Sequence, residues 1–164
     1  MKALAINGSP RKNQNTAKLL QAALDSAARK GAETELVNLY ELQYKGCVSC
    51  FACKRKDRPH GHCVMRDELA PVLRKAYDPQ SSRFPIYHEH EARTDGSFSY
   101  AFQPGSVSEQ PEILYACNTY QFSDYEKYES SMFSKSEKAA YRAEQFPKDL
   151  EAAFEMGKRL AGSV

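Results

Sequence analysis

The strongest constraint on the fold is the order of signals at the N-terminus. Lys2–Ile6 (KALAI) reads as a short buried strand, and Asn7-Gly8-Ser9-Pro10 breaks it. A polar loop, Arg11–Asn15, then feeds strong helix formers from Thr16 to Arg29. Leu19, Leu20, Ala23 and Ala27 fall on one face of that helix. Lys30-Gly31 supplies a basic last turn and a glycine stop, and Glu35–Leu39 reads as a second strand. Strand, polar loop, helix, strand is a βαβ unit, so the sheet begins parallel and the class is α/β.

Further along, Asp67–Ala76 has helical spacing at Leu69, Val72, Leu73 and Ala76, with Asp67 placed to cap it. Residues 78–112 are rich in Pro, Ser, Gly and charge, an atypical segment inside a compact domain. Only Phe84–Tyr87 and Ser97–Phe102 read there as short strands. Order returns at Glu112–Cys117, a strand, and the chain closes with helical stretches at Ser136–Gln145 and Lys148–Leu160. Leu150, Ala153, Phe154, Gly157 and Leu160 make one packing face in the last of these. A length of 164 residues fits one domain, 1–164, with 78–112 its irregular part. A parallel sheet buried on both faces needs apolar strands. Ala3–Ile6, Glu35–Leu39 and Ile113–Cys117 qualify; either the two short candidates complete the sheet, or it is incomplete in the middle.

A net charge of +2, from 23 basic and 21 acidic residues, gives no field to recruit nucleic acid or a membrane surface. No window approaches the ~20 apolar residues of a membrane span, and Ala3–Ile6 is too short for a signal-peptide core. A cytoplasmic protein is expected, where disulfides are disfavoured.

Residues 7–16 lie between the first strand and first helix, where a parallel α/β sheet binds ligands. The chemistry suits a phosphate. Backbone N–H groups at the helix start face the loop, Ser9, Asn15 and Thr16 add side-chain donors, and Arg11 offers a charged fork. Neither a Walker A loop nor G-x-G-x-x-G is present. The bland alternative is a polar turn with Thr16 capping the helix.

The second chemical cluster is Cys47, Cys50, Cys53 and Cys63. Four closely spaced thiolates on an irregular loop can hold a [4Fe–4S] cluster. A Cys₄ zinc site, with His60 or His62 substituting, is another reading. A redox-active CxxC pair is a third, and thiols that bind nothing a fourth. His88, Glu89 and His90 form a weaker metal-ligand trio; Asn118, Thr119 and Tyr120 stand at the carboxyl end of a strand, on the ligand side. Tyr120, Tyr125 and Tyr128 read as packing, and Cys117 as a small buried hydrophobe.

The stretch NGSPRKNQNTAKLL (Asn7–Leu20) following a strand closely resembles the FMN phosphate loop of the flavodoxin-like NAD(P)H-dependent FMN reductases, including their iron–sulfur flavoprotein branch. Gly46–Lys54, Leu114–Phe122, Phe146–Leu150 and Phe154–Leu160 look like the same family. The resemblance implies a flavodoxin-like three-layer α/β/α fold with a parallel sheet, bound FMN, and electrons taken from NAD(P)H for a small-molecule or protein acceptor. It carries over Ser9, Arg11, Asn13, Asn15 and Thr16 as phosphate-loop positions, and it implies a homo-oligomer. It also offers Pro85, Ile86 and Tyr87 as flavin-ring neighbours, because Arg83–Tyr87 (RFPIY) stands where members carry Gly-Ser-Pro-Ile-Tyr. No acid–base residue is named as catalytic, since the flavin carries the chemistry.

The chain departs from the family pattern in its centre. No hydrophobic strand precedes Arg83–Tyr87, and an echo of the following Gly-Ser-Val segment comes only at Gly105–Ser108. The gap before Cys63 is longer than the iron–sulfur branch leads one to expect. Cys50–Lys54 (CFACK), with Asp67–Leu69 behind it, looks more like the plain reductases of the family. That resemblance favours metal-free thiols over a cluster on Cys47, Cys50, Cys53 and Cys63. Two alternatives follow: an iron–sulfur flavoprotein electron carrier, and a non-enzymatic remnant or binding domain without a complete flavin site.

Overall fold

The computed structural model describes residues 1–57, 62–77, 84–88, 99–102, 112–122, 124–128 and 134–162, with 84–88 and 99–102 described by their backbone. Strand β1 spans Lys2–Asn7, helix α1 Asn15–Arg29 and strand β2 Glu33–Asn38, the βαβ unit expected from the N-terminal pattern. Helix α2 runs Leu69–Tyr77, and strands β3 (Phe84–His88), β4 (Ser99–Phe102) and β5 (Ile113–Tyr115) follow. Helices α3 (Lys135–Glu144) and α4 (Phe146–Gly162) end the described chain.

The strands form one sheet in the order β2-β1-β3-β4-β5. That order, with helices on both faces, is the flavodoxin-like arrangement. β1 pairs in parallel with β2, Lys2 beside Glu33 and Asn7 beside Asn38, and with β3, Ala3 beside Phe84. β4 runs antiparallel to both β3 and β5, so β5 points the same way as β1. The reversal of β4 is a departure from an all-parallel sheet. Its physical reason is connection length: a parallel neighbour needs a crossover of a dozen or more residues, typically helical, and residues 89–98 between β3 and β4 are too few. The two weak strand candidates therefore do complete the sheet, as a hairpin.

Alternation along β1 builds the three layers. Ala5 packs with Leu20, Ala23 and Leu24 of α1, and Leu160 of α4 leans on the same cluster. Leu19, Ala116, Phe146 and Ala153 extend this layer toward β5. On the opposite face Leu4, Ile6 and Val37 meet Val72 of α2. Small residues let α1 and α4 touch closely: a Cβ on Gly157 would lie 2.1 Å from the Ala23 carbonyl oxygen.

Helix ends follow local chemistry. α1 closes on Gly31 at φ 85°, with the Ala32 and Gly31 N–H groups bonding back to the Ala27 and Ala28 carbonyls, a Schellman stop that favours glycine. Ser134 caps α3 by accepting from the Glu137 N–H. Asp67 accepts from the Ala70 N–H at 3.2 Å, the capping role expected of it, although α2 begins later than the spacing suggested. One expectation is corrected. Cys117 lies past the end of β5 and is half-buried; Ala116 is the buried residue there, 1% exposed. The strand is shorter than its apolar run because it sits at the sheet edge with one hydrogen-bonding neighbour.

Candidate functional site

The site grows from the end of β1. Asn7 is fully buried, and its side chain works in two directions. Its Oδ1 accepts from the Ser9 N–H at 3.0 Å, bending the chain just past the strand, while its Nδ2 donates to Asn38 Oδ1 at 2.8 Å. Ser9 Oγ then accepts from the Arg11 N–H at 3.2 Å, and the Gln14 N–H donates to the Arg11 carbonyl at 3.2 Å. These successive turns deliver the chain to the start of α1.

That helix start is what an anion would meet. The capping residue Gln14 is extended and lends no side-chain bond, and no acidic residue occupies the first turn. Backbone N–H groups and the positive end of the helix dipole thus face the loop without a competing carboxylate. Thr16 and Ser9 are buried beside them, and Arg11, Lys12 and Asn13 are exposed on the outer side. The residues therefore fit a phosphate group.

A second loop closes on the first. Asn15 Nδ2 donates to the Tyr120 carbonyl at 2.7 Å, and Arg11 Nη1 donates to the Gln121 carbonyl. The Gln121 N–H reaches Tyr125 Oη at 3.1 Å. Rings of Tyr120, Phe122, Tyr125 and Tyr128 pack behind this loop, with Phe122 stacked on Tyr128 at 4.6 Å, which is the packing role expected of these tyrosines. Thr119 and Tyr120 are thereby brought to the phosphate loop, on the carboxyl side of the sheet.

Cations ring the site from outside and behind. Lys12 pairs with Glu41 at 2.6 Å, and Asn38 Nδ2 donates to the same carboxylate at 3.0 Å. The pair raises the Lys12 ammonium and lowers the Glu41 carboxyl from their ordinary ranges, chiefly through the hydrogen bond between them. From α3, Arg142 Nη1 donates to Asn15 Oδ1 at 3.0 Å and Lys138 Nζ to the Thr119 carbonyl at 3.4 Å. Lys138 is buried, which pushes its ammonium below the ordinary lysine range.

Asn7, Lys138 and Arg142 were not among the sequence candidates. The motif NGSP pointed to Asn7 only as a turn former. Nothing local marks Lys138 or Arg142, because their partners are distant in the chain.

The other candidates fall elsewhere. Pro85, Ile86 and Tyr87 lie within β3, and the register sets Pro85 and Ile86 beside Leu4 and Ala5 in mid-strand. His88 ends that strand; Glu89 and His90 lie outside the described residues, as do His60 and Gly105–Ser108. Cys47, Cys50 and Cys63 are exposed and Cys53 is half-buried. Among the described residues no three metal-ligating side chains converge, so in this arrangement the four thiols do not fit a cluster or a zinc ion. Cys47 Sγ instead accepts from the Ser49 N–H at 3.4 Å, and Ser49 and Phe51 on either side of Cys50 hold positive φ. No described helix is long and apolar enough to cross a membrane.

Comparison with known proteins agrees with the geometry at β1 and α1. Residues 1–78 match the family model for NADPH-dependent FMN reductase. An iron–sulfur flavoprotein from Methanosarcina thermophila is 37% identical over 89 residues, 53% of this chain and 44% of that protein. One from Archaeoglobus fulgidus is 39% identical over 90 residues, 54% of this chain and 39% of that protein. Another, from Methanocaldococcus jannaschii, is 36% identical over 75 residues, 46% of this chain and 37% of that protein. The chain thus spans less than half the length of these relatives, and no solved structure matches it. Residues 1–78, which hold β1, the phosphate loop, α1, β2 and the cysteine loop, are thus similar to the NADPH-dependent FMN reductase family.

Proposed function

We propose that this chain is an FMN-dependent oxidoreductase that passes electrons from NAD(P)H to a small-molecule or protein acceptor. The observation that carries this reading is the start of α1: Gln14 supplies no side-chain cap, the first turn holds no acid, and Ser9 and Thr16 flank it. Ser9, Arg11, Asn13 and Thr16 would hold the FMN phosphate, with Asn15 tying the loop to residues 118–122. Bound FMN would supply the hydride-accepting chemistry. Pro85, Ile86 and Tyr87 stay proposed neighbours of its ring. The protein's own part is binding and orientation, and no side chain is proposed as an acid or base.

Titrating flavin-free protein with FMN and with riboflavin, by quenching of flavin fluorescence, tests the reading. FMN should bind at least tenfold more tightly, a difference of about 1.4 kcal/mol from the phosphate. The paired change Ser9→Ala with Thr16→Ala should remove most of that preference, and the FMN-loaded protein should oxidise NADPH. Equal affinity for the two flavins would overturn it. Folded protein that binds no flavin and leaves NADPH untouched would favour the remnant domain.

The names of the relatives favour a second reading, an iron–sulfur flavoprotein electron carrier using Cys47, Cys50, Cys53 and Cys63. It requires the exposed loop to rearrange so that the thiols converge. Anaerobically purified protein would then be brown and hold about four iron per chain; iron-free protein after reconstitution would exclude it.

A further inference from the structure

Asn15 is the first residue of α1, buried at 7% exposed, and both ends of its amide are engaged. The oxygen accepts from Arg142 at 3.0 Å and the nitrogen donates to the Tyr120 carbonyl at 2.7 Å. A guanidinium has donors and no acceptor. The Asn15 amide must therefore turn its oxygen to Arg142, which leaves its NH₂ toward Tyr120. Were the amide reversed, donor would face donor and carbonyl would face carbonyl.

Arg142 is itself held firmly. Its guanidinium lies 4.1 Å above the Phe146 ring, and Phe146 is buried among Leu19, Ala116 and Ala153. Core packing thus fixes the cation, the cation fixes the amide, and the amide fixes the distance between α1 and the 118–122 loop. Lys138, one turn earlier on α3, ties the same loop through the Thr119 carbonyl.

We infer that Arg142 is a positioning residue for the phosphate site, acting through Asn15 to hold the start of α1 against the 118–122 loop. This rests on the proposed FMN reading. Arg142 acts through the amide, so its effect on FMN affinity should vanish when the amide is gone.

A double-mutant cycle on the flavin-binding protein tests this, read as dissociation constants for FMN and riboflavin. Arg142→Ala and Asn15→Ala should each weaken FMN binding roughly tenfold, the scale of one charge-assisted hydrogen bond. The double variant should be no weaker than Asn15→Ala alone, because groups acting in series do not add. Riboflavin affinity should change less than about twofold, since the loop serves the phosphate. Arg142→Lys keeps a donor for Asn15 but loses the planar stack; it should fall between wild type and Arg142→Ala, and it carries the test if the alanine variant does not fold. Additive losses, equal loss for riboflavin, or unchanged FMN affinity in Arg142→Ala would each overturn the inference. Wild-type protein without preference for FMN over riboflavin would sink both it and the function on which it rests. Preference retained in the face of an inert Arg142→Ala sinks only the inference.

Discussion

Replacing Gly157 with alanine sets two effects against each other at the α1–α4 contact. In an open helix interior the change should stabilise by about 1 kcal/mol, because glycine has more backbone freedom to lose on folding. Here the new methyl would sit 2.1 Å from the Ala23 carbonyl oxygen, 2.7 Å from its carbon and 2.8 Å from its Cα. All three atoms are backbone of α1, so no side chain can rotate away. Relief requires the helices to part by roughly 1 Å, which loosens the surrounding van der Waals contacts. That parting would open the layer made by Ala5, Leu20, Ala23 and Leu24, on which Leu160 leans. Overpacking of this kind costs about 1–3 kcal/mol, and a backbone-to-backbone clash belongs at the upper end. The net expectation is destabilisation by about 1–2 kcal/mol, a fall of several degrees in melting temperature for a chain of this size. Urea unfolding followed by circular dichroism measures it, with an unchanged m-value as the check that only stability moved. Gly162, in the same helix, has nothing within 4 Å of its Cβ position and serves as control. Gly162→Ala should be neutral or stabilise by a few tenths of a kcal/mol. If Gly157→Ala proves as stable as wild type, the close approach of α1 and α4 is wrong.

Three further outcomes follow from other contacts. Asn7→Ala strips partners from the Ser9 N–H and from Asn38, so it should cost about 1–3 kcal/mol in urea unfolding and weaken FMN binding as well; an effect on neither would contradict the role given to Asn7. Gly31→Ala forces a Cβ into φ 85° and should lower stability by about 1 kcal/mol, measured by thermal melting; an equal or higher melting temperature would contradict it. Burial holds the Lys138 ammonium below its ordinary range, so the folded chain releases this proton before the unfolded chain does. As pH rises from that lowered value toward about 10.4, the unfolded state binds more protons and wild type should gain stability relative to Lys138→Met. Paired urea melts at neutral and alkaline pH read the difference, and a difference independent of pH would refute the burial.

The N-terminal unit was legible because its signals are local. The breaker Asn7-Gly8-Ser9-Pro10, the apolar stripe of α1 and the Gly31 stop each act within a turn of chain. The central strands were legible only as weak candidates. Phe84–His88 and Ser99–Phe102 join the sheet through pairing with β1 and β5, and short mixed sequence says little of that. The site divided in the same way. Ser9 and Thr16 announce themselves beside a helix start, whereas Asn15 reads as another loop donor until Tyr120 and Arg142 occupy both ends of its amide. The four cysteines show the converse limit: spacing suggested ligands, but convergence is a property of the loop's path.

By itself, then, the order of residues determined the βαβ start, the α/β class and the helix start at which we propose that an anion binds, since hydrophobic period, helix stops and turn chemistry act over a few residues. The tertiary structure alone decided the approach of Gly157 to Ala23 and the joining of Asn15 to Arg142. Those depend on which distant segments share space, and no local pattern encodes a contact whose partner lies more than a hundred residues away.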